Sequence, residues 1–258
     1  MSIPRIIHYC WFGNNQKPPL TIKCIESWKK YCKDYKIVEW NETNFDVQLC
    51  PLYVRQAYEA KKWAFVTDYV RLKVVYENGG IYLDTDVELK KSLDQLLKHK
   101  AYFGFENGID VATGLGFGAE KNAQVLYEMM QDYNDIPFVY QGGTYDTTPC
   151  PKRNTKVLLK YGLKQDDSMQ IIGDDILILP SIYLCPISYR TMKRRISFKT
   201  ISIHWFSASW LEQERRTRRD YRREQAEKRV RYLKHFLRRR FGDRSYERLK
   251  RMIKKFKV

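Results

Sequence analysis

The sequence lacks several signatures of common protein classes. Its six cysteines include no Cys-x-x-Cys pair, so a zinc knuckle is not predicted. No apolar run reaches the ~18–20 residues that a membrane-spanning helix needs. The glycine-rich stretch 111–119 is followed by no Gly-Lys-Ser/Thr, which argues against a phosphate-binding P-loop. The N-terminus also lacks the apolar core of a secretory signal, so we expect free thiols in a reducing cytoplasm.

Positive charge is abundant but unevenly placed. The formal net charge is +17, yet residues 211–258 hold 20 Lys/Arg against 7 Asp/Glu, and the rest of the chain holds 27 against 23. The hydrophobic content of 43%, with 19 Tyr and 12 Phe, is ample for a folded core. We therefore predict a globular domain over 1–210 and a basic helical tail over 211–258.

A predicted helix that places an acidic and a basic side chain on the same face lies at the centre of the predicted domain. From residue 63 onward, apolar residues recur at spacings of three and four, which is typical of a helix. Asp68 and Arg71 are three apart and share a face of it. Asn78, Gly79 and Gly80 then predict its end, because glycine adopts the left-handed cap conformation without steric cost.

Asp84 and Asp86 follow a short β-rich run, Ile81–Leu83. On an extended chain, side chains two apart point the same way, so the two carboxylates repel unless a cation or a partner stabilises them. Oxygen ligands suit a hard ion such as Mg²⁺ or Mn²⁺, which in turn suits a diphosphate. A solvated acidic turn is the plainer alternative for a lone Asp-x-Asp. The order of helix, glycine turn, strand and acid pair within residues 68–86 favours the metal site.

That order resembles the sugar-binding region of family 32 glycosyltransferases, a group that includes small bacterial capsule and lipopolysaccharide transferases. The resemblance is close from Ile3 to about Asn122 and looser to Trp210. It implies an α/β domain of the GT-A type, with a Rossmann-like, mainly parallel sheet flanked by helices; strand–helix alternation over the first 90 residues favours the same class. It also implies a metal-dependent, retaining transfer of a hexose from a nucleotide diphosphate sugar to a glycan acceptor. UDP-galactose and UDP-glucose are the first donors that the resemblance implies, and donors of N-acetylhexosamines and GDP-mannose stay open.

The resemblance also implies roles for individual residues. The expected metal ligands are Asp84, Asp86 and His204. The expected catalytic residues are Asp68, Arg71, Asp84 and Asp86. The expected donor-binding residues are Trp11, Gly13, Asp68, Arg71, Tyr82, Asp84, Thr113, Gly114, Ser209 and Trp210. Imidazole suits Mn²⁺ better than Mg²⁺, and stacking a base on Trp11 is worth roughly 1–3 kcal/mol. A core tryptophan and a structural histidine are the plainer alternatives for Trp11 and His204.

The second half of the chain gives weaker signals. We predict a strand over Val111–Ala119, where glycine allows close approach to a ligand, and another over Ser181–Leu184. The segment Tyr145–Thr155 is similar to the Thr-Gly-Pro segment of the family, but Thr148 stands where the family has glycine. Its assignment to donor or acceptor contacts stays open.

The tail combines basic residues with a narrow apolar row, Ala226, Val230, Leu233 and Leu237. Such a helix is typical of an interfacial membrane element, and each Lys or Arg near an anionic leaflet contributes about 1 kcal/mol. We expect a cytoplasmic enzyme held at the inner face of the cell membrane, acting on a lipid-linked glycan in surface polysaccharide synthesis. A solvated helix packed on the domain is an alternative; a nucleic-acid arm also fits the charge, but no reading motif accompanies it.

Two other functions fit part of the sequence. In an Mg²⁺-dependent aspartyl-phosphate phosphatase, Asp84 would attack phosphate, and Asp174 and Asp175 would form the distal acidic pair. Val87 and Glu88 stand where that superfamily has Gly-Thr, which argues against it. A non-catalytic membrane or nucleic-acid binder would explain the tail but would leave the acid pair without a purpose.

Overall fold

The computed structural model describes residues 2–188, 191 and 193–207. The helices are Pro19–Tyr31 (α1), Leu52–Glu59 (α2), Trp63–Asn78 (α3), Gln124–Gln131 (α4), Cys150–Lys160 (α5) and Ser181–Leu184 (α6). The strands are Ile6–Cys10 (β1), Lys36–Trp40 (β2), Gly80–Tyr82 (β3), Val87–Leu89 (β4), Ala101–Gly104 (β5), Phe117–Ala119 (β6), Gln170–Ile172 (β7), Ile176–Leu179 (β8) and Ser202–His204 (β9). Short 3-10 turns lie at Val47–Leu49, Asp94–Leu96 and Thr113–Leu115.

The main sheet has seven strands in the order β2-β1-β3-β6-β5-β8-β7, and β4 pairs with β9 in a separate ribbon. β1 is parallel to β2 and β3, and β5 is parallel to β8. β6 is antiparallel to both β3 and β5, so these two strands run the same way. The carboxyl ends of β1, β3, β5 and β8 therefore share one edge, where ligands bind in open α/β sheets. The predicted α/β class with a mainly parallel sheet is confirmed.

Two apolar layers cover the faces of this sheet. One contains side chains of α2, α3, α4 and α5, and the other contains side chains of α1, β4 and the turn after it. Within β3, Ile81 enters one layer and Tyr82 the other, because successive residues of a strand point to opposite faces. The inner strands β3, β5, β6 and β8 are thus buried on both sides, which explains why none of them contains a charged residue.

Helix α3 is buried on most of its circumference and ends as predicted. Val66, Val70 and Val74 form one fully buried apolar row, and Tyr69 and Leu72, from a second row, are buried in the same core. Gly79 takes a φ of +67° and donates its N–H to the Val75 carbonyl, 2.7 Å away. A Cβ on Gly80 would lie 2.7 Å from the Ile6 carbonyl oxygen. The two glycines are therefore required for the chain to pass from the helix into β3 alongside β1.

Two predicted strands differ from the structure. The stretch 111–119 forms a 3-10 turn before the short strand β6, because Gly116, at a φ of +109°, reverses the chain. Ser181–Leu184 is one turn of helix, entered through Pro180 after β8. Four residues, three of them apolar, are too few for periodicity to distinguish a helix from a strand. In the described part of the chain, no helix combines the length and apolar character of a membrane span. The tail predicted over 211–258 lies outside the described residues.

Candidate functional site

The two aspartates of the acid pair lie on a tight turn between the main sheet and the ribbon. Asp84 follows β3, Asp86 precedes β4, and the Val87 N–H donates to the Asp84 carbonyl, 2.9 Å away. The sequence suggested that an extended strand would align the carboxylates. Instead, the turn brings them to the same side, at the carboxyl edge of the sheet.

His204 reaches the acid pair through strand pairing. In the antiparallel ribbon Val87 lies opposite His204, so a residue 118 positions from Asp86 becomes its neighbour. His204 Nε2 is 3.1 Å from Asp86 Oδ1. One ligand atom from each of Asp84, Asp86 and His204 lies within 4.8 Å of the other two. The structure thus brings together the three residues that the sequence proposed as metal ligands.

Burial and neighbouring charges act in opposite directions on the pKa values of Asp86 and His204, and both affect Asp84. Burial raises the pKa of Asp84 to about 6, with Asp86 adding to the shift and Arg71 opposing it. Burial acts in the same direction on Asp86, but His204 and two hydrogen bonds from Ser207 outweigh it and hold the pKa of that carboxyl well below its usual range. Burial disfavours the charged form of His204, yet Asp86 raises the pKa of the imidazole above its ordinary value.

The donor set fits a divalent cation. Two partly buried carboxylates face each other beside an imidazole whose Nδ1 is buried and has no hydrogen-bond partner among the described residues. A shared cation would offset both the burial and the repulsion from Asp86 that raise the pKa of Asp84, because an opposite charge favours the ionised form. Mixed oxygen and nitrogen ligands are compatible with Mn²⁺ and Mg²⁺, with the nitrogen favouring Mn²⁺.

Arg71 joins helix α3 to the acid turn. Its Nη2 lies 3.2 Å from Asp68 Oδ1, one helical turn away, and 3.2 Å from Asp84 Oδ1. Its Nε donates to the Thr67 carbonyl at 3.0 Å, and its guanidinium carbon is 5.2 Å from the centroid of the Tyr82 ring. Arg71 is only 4% exposed, so its fork is fixed by contacts on several sides. The pairing of Asp68 with Arg71, inferred from helical spacing, is present in the structure.

Three other predicted donor residues surround Arg71 and Asp84. Tyr82 is 1% exposed, and the guanidinium of Arg71 lies over its ring. Thr113 is fully buried and accepts a hydrogen bond from Asn154 Nδ2 at 3.0 Å. Both side chains support the residues around Asp84, and their roles in donor binding stay predictions. Gly114 does pack against the site: a Cβ there would lie 2.6 Å from Asp84 Oδ2.

Trp11 and Gly13 follow β1 and reach the same edge of the sheet. Trp11 is partly exposed, its Nε1 donates to the Asn15 carbonyl at 2.7 Å, and Lys17 Nζ lies 5.5 Å from its ring centroid. A Cβ on Gly13 would come within 2.8 Å of Trp63, the first residue of α3. This contact ties the loop after β1 to the helix that carries Arg71. The remaining donor residues, Ser209 and Trp210, lie outside the described residues.

Two residues at the site were not predicted. Ser207 donates its N–H and its Oγ to Asp86 Oδ2, at 2.8 and 3.0 Å. Ser207 lies three positions after His204 and two before Ser209, both of which the family resemblance assigned to the site. This position is the signal that could have pointed to it. Cys150 Sγ lies 3.8 Å from Arg71 Nη1 and 4.0 Å from Thr113 Oγ1. It begins α5, and nothing in the sequence pointed to it.

The phosphatase alternative is contradicted by the strand directions. Asp174 and Asp175 precede β8 and pair with Lys100 and His99, the latter through a 2.6 Å contact between His99 Nδ1 and Asp175 Oδ1. Because β8 runs in the same direction as β3, these acids lie at the amino edge of the sheet. Asp84 lies at the carboxyl edge, so the two groups cannot form one phosphate site.

Comparison with known proteins shows which proteins the chain resembles. Residues 18–103 match a family model described as a glycosyltransferase sugar-binding region containing a DXD motif. Inositol phosphoceramide mannosyltransferase 3 of Schizosaccharomyces pombe is 32% identical over 158 residues, which are 57% of this chain and 43% of that protein. The chain thus spans less than half the length of this relative. These matches confirm the predicted resemblance over residues 18–103 and support the predicted class of enzyme, a glycosyltransferase.

Solved glycosyltransferases show looser likenesses. The PaToxG glycosyltransferase is 17% identical, with a TM-score of 0.46, over 61% of this chain and 69% of its own. A glycosyltransferase involved in glycosylation of the major capsid of PBCV-1 is 13% identical, with a TM-score of 0.43, over 86% of this chain and 100% of its own. The assignment of fold therefore depends on the strand order of the sheet itself.

Proposed function

We propose that this chain, which carries the sugar-binding region of DXD glycosyltransferases, transfers a hexose from a nucleotide diphosphate sugar to a glycan acceptor with retention of configuration. The observation that supports this most directly is the convergence of Asp84, Asp86 and His204 at the carboxyl edge of the sheet, with Arg71 alongside. In α/β enzymes this edge is where nucleotides bind. A diphosphate is the ligand class that a divalent ion and an arginine recognise together.

Asp84, Asp86 and His204 would hold the ion, which when bound supplies positive charge to a leaving diphosphate. Arg71 contributes a second fixed cation. Because it is 4% exposed, its charge acts in a poorly solvated site and needs no reorganisation during the reaction. Asp68 holds the guanidinium from the helix side at 3.2 Å. Departure of the leaving group on the face that the acceptor attacks, with a phosphate oxygen taking the acceptor proton, accounts for retention without a protein nucleophile.

Trp11 is proposed to stack the nucleotide base. It lies at the carboxyl end of β1, next to the strand that leads into Asp84, and its ring is partly exposed. We propose Mn²⁺ as the preferred ion because the site includes an imidazole. UDP-galactose and UDP-glucose are the donors that we propose first.

Mannose is a second candidate sugar. The relative from S. pombe is named as a mannosyltransferase that acts on inositol phosphoceramide. By analogy with that name, we propose GDP-mannose as a second donor and a lipid-borne glycan as the acceptor, and GDP-mannose should be tested together with the UDP-sugars. A lipid-linked acceptor also agrees with our proposal that the basic residues of the tail hold the enzyme at the inner face of the cell membrane in surface polysaccharide synthesis.

Thermal unfolding with Mn²⁺ and each nucleotide sugar tests the proposal. A ligand at 100 times its dissociation constant adds about 2.7 kcal/mol to the free energy of unfolding, which for a domain of this size raises Tm by roughly 5–10 °C. We expect one nucleotide sugar to give this shift in the presence of Mn²⁺, and to be slowly hydrolysed.

The matched control is the double variant Asp84→Asn, Asp86→Asn. It keeps the size of both side chains and removes their charge, so the shift that depends on Mn²⁺ should disappear. A wild-type protein whose Tm responds to no nucleotide sugar, with or without Mn²⁺, contradicts the proposal.

A further inference from the structure

The segment 193–199, which we call the basic loop, presents apolar side chains to solvent. Phe198 is 81% exposed and Ile196 is 50% exposed. The two residues stand two positions apart in a stretch without helix or strand. A single exposed apolar residue is common on protein surfaces, but a pair surrounded by charges of one sign marks an interaction surface.

Cations surround this apolar pair. Lys193, Arg194 and Lys199 are exposed, and the loop contains no acidic residue. Lys91, from the turn after β4, is also exposed and donates to the Phe198 carbonyl. The surface therefore combines two exposed apolar side chains with several exposed cationic ones.

Hydrogen bonds within residues 197–200, and from Thr200 to α6, fix the backbone around Phe198. The Thr200 N–H donates to the Ser197 carbonyl and the Ser197 N–H to Thr200 Oγ1, both at 3.1 Å. Thr200 Oγ1 in turn donates to the Ile182 carbonyl at 3.0 Å, and the Lys199 N–H to Ser197 Oγ at 3.1 Å. Phe198 is thus exposed on an ordered turn that is fastened to α6.

The basic loop adjoins the metal-ligand cluster. The guanidinium carbon of Arg194 lies 5.5 Å from the centroid of the Trp205 ring. Trp205 follows His204 directly, its N–H donates to the Asp86 carbonyl at 3.1 Å, and its Nε1 donates to Glu88 at 2.9 Å. A partner bound at the loop is therefore one side chain away from the strand that positions His204.

We propose that the basic loop is a membrane-contact element, in which Phe198 and Ile196 enter the interface of an anionic bilayer and the surrounding cations bind its headgroups. The combination matches what an interfacial element needs, apolar area together with electrostatic attraction to anionic lipid. Ile196 has no π face on which a base could stack, which favours lipid over RNA. The inference deepens the proposed function, since it places the site against the surface where a lipid-linked acceptor would lie.

Partition of the full chain into vesicles tests this. The variant Ile196→Ser, Phe198→Ser is compared with the wild type on phosphatidylcholine vesicles with and without phosphatidylglycerol. Because the tail is present in both proteins, its contribution cancels. We expect partition into the anionic vesicles to fall about tenfold or more, as loss of two inserted apolar side chains implies. Tm should be unchanged, because both side chains are exposed.

The matched control is Leu49→Ser, Ile171→Ser, which removes two side chains that are 79% and 64% exposed elsewhere on the domain. Its partition should equal that of the wild type. Equal partition of the loop variant and the wild type overturns the proposal, as does an equal fall in the control. A loop variant that loses binding to single-stranded RNA while keeping vesicle binding also overturns it.

The test separates this inference from the proposed function. Donor hydrolysis without vesicles should be the same in the wild type and both variants. If the wild type hydrolyses no donor, the proposed function fails while the vesicle result still stands. If hydrolysis is normal and partition does not change, the failure belongs to the loop alone.

Discussion

Gly114 provides the sharpest test of the candidate site, because it limits where Asp84 can lie. A Cβ at this position would be 2.6 Å from Asp84 Oδ2 and 3.1 Å from Arg71 Nη1. These two atoms belong to the carboxylate and the guanidinium that the proposed function requires. Gly114→Ala therefore adds one methyl group at the point where the acid turn and the arginine meet.

The size of the effect follows from the distances. Ordinary contact begins at 3.4 Å, so Asp84 Oδ2 must move by about 0.8 Å from its place at 2.6 Å. A displacement near 1 Å in an active site can reduce the rate about 10²-fold. The stability should change little: Asp84 is 25% exposed and has room to turn away, and alanine restricts the unfolded chain more than glycine does.

The assay measures kcat/KM for Mn²⁺-dependent donor hydrolysis, and calorimetry measures the affinity for Mn²⁺. We expect kcat/KM to fall roughly a hundredfold, equivalent to about 2.7 kcal/mol of lost transition-state stabilisation. Weaker Mn²⁺ binding should accompany it, because Asp84 is one of the proposed ligands.

Gly118→Ala is a matched control, since its Cβ would meet the Tyr102 ring at the same distance of 2.6 Å, within the core. Tyr102 is fully buried and cannot turn away, so overpacking should cost about 1–3 kcal/mol of stability. Its affinity for Mn²⁺ should remain that of the wild type. If Gly114→Ala keeps both wild-type kcat/KM and Mn²⁺ affinity, the site does not depend on the position of Asp84, and our account of it is wrong.

Three further predictions concern other residues of the candidate site. Arg71→Lys loses the planar fork that reaches both Asp68 and Asp84, so donor hydrolysis should fall roughly a hundredfold; a rate equal to the wild type would show that the fork is dispensable. Ser207→Ala removes one of two hydrogen bonds to Asp86, and calorimetry should find Mn²⁺ affinity about tenfold lower; unchanged affinity would remove Ser207 from the site. Cys150 is partly exposed, whereas the other five cysteines are buried. Burial raises the pKa of its thiol well above the ordinary value, so iodoacetamide should label it slowly under mildly alkaline conditions and abolish donor binding. A saturating nucleotide sugar should protect it in peptide mass spectrometry, and labelling at the same rate with the donor present would place Cys150 outside the donor site.

Local sequence patterns predicted the elements that depend on neighbouring residues. The apolar rows of α3, its glycine cap and the pairing of Asp68 with Arg71 all arise from contacts within one or two helical turns. Such contacts can be inferred from spacing, because the period of a helix is fixed. Short elements were harder to predict: Ser181–Leu184 forms a helical turn and not the predicted strand, because four residues are too few to show a period.

Contacts between distant parts of the chain required the fold. The sequence proposed His204 as a ligand only through a family resemblance, and the pairing of β9 with β4 supplies the physical reason, since it sets His204 opposite Val87. Cys150 had no signal in the sequence, and Ser207 had only its position shortly after His204, because their partners, Arg71 and Asp86, are far away in sequence.

The sequence by itself determined the class of fold, the acid pair and the arginine that accompanies it, because these follow from periodicity, glycine conformation and the chemistry of carboxylates. Tertiary structure decided which groups surround them. The β4–β9 ribbon brings His204 to the acid pair, Gly114 packs against Asp84, and the basic loop lies beside Trp205. The physical reason is that strand pairing and close packing join residues over a hundred positions apart, and no local pattern specifies such a pairing.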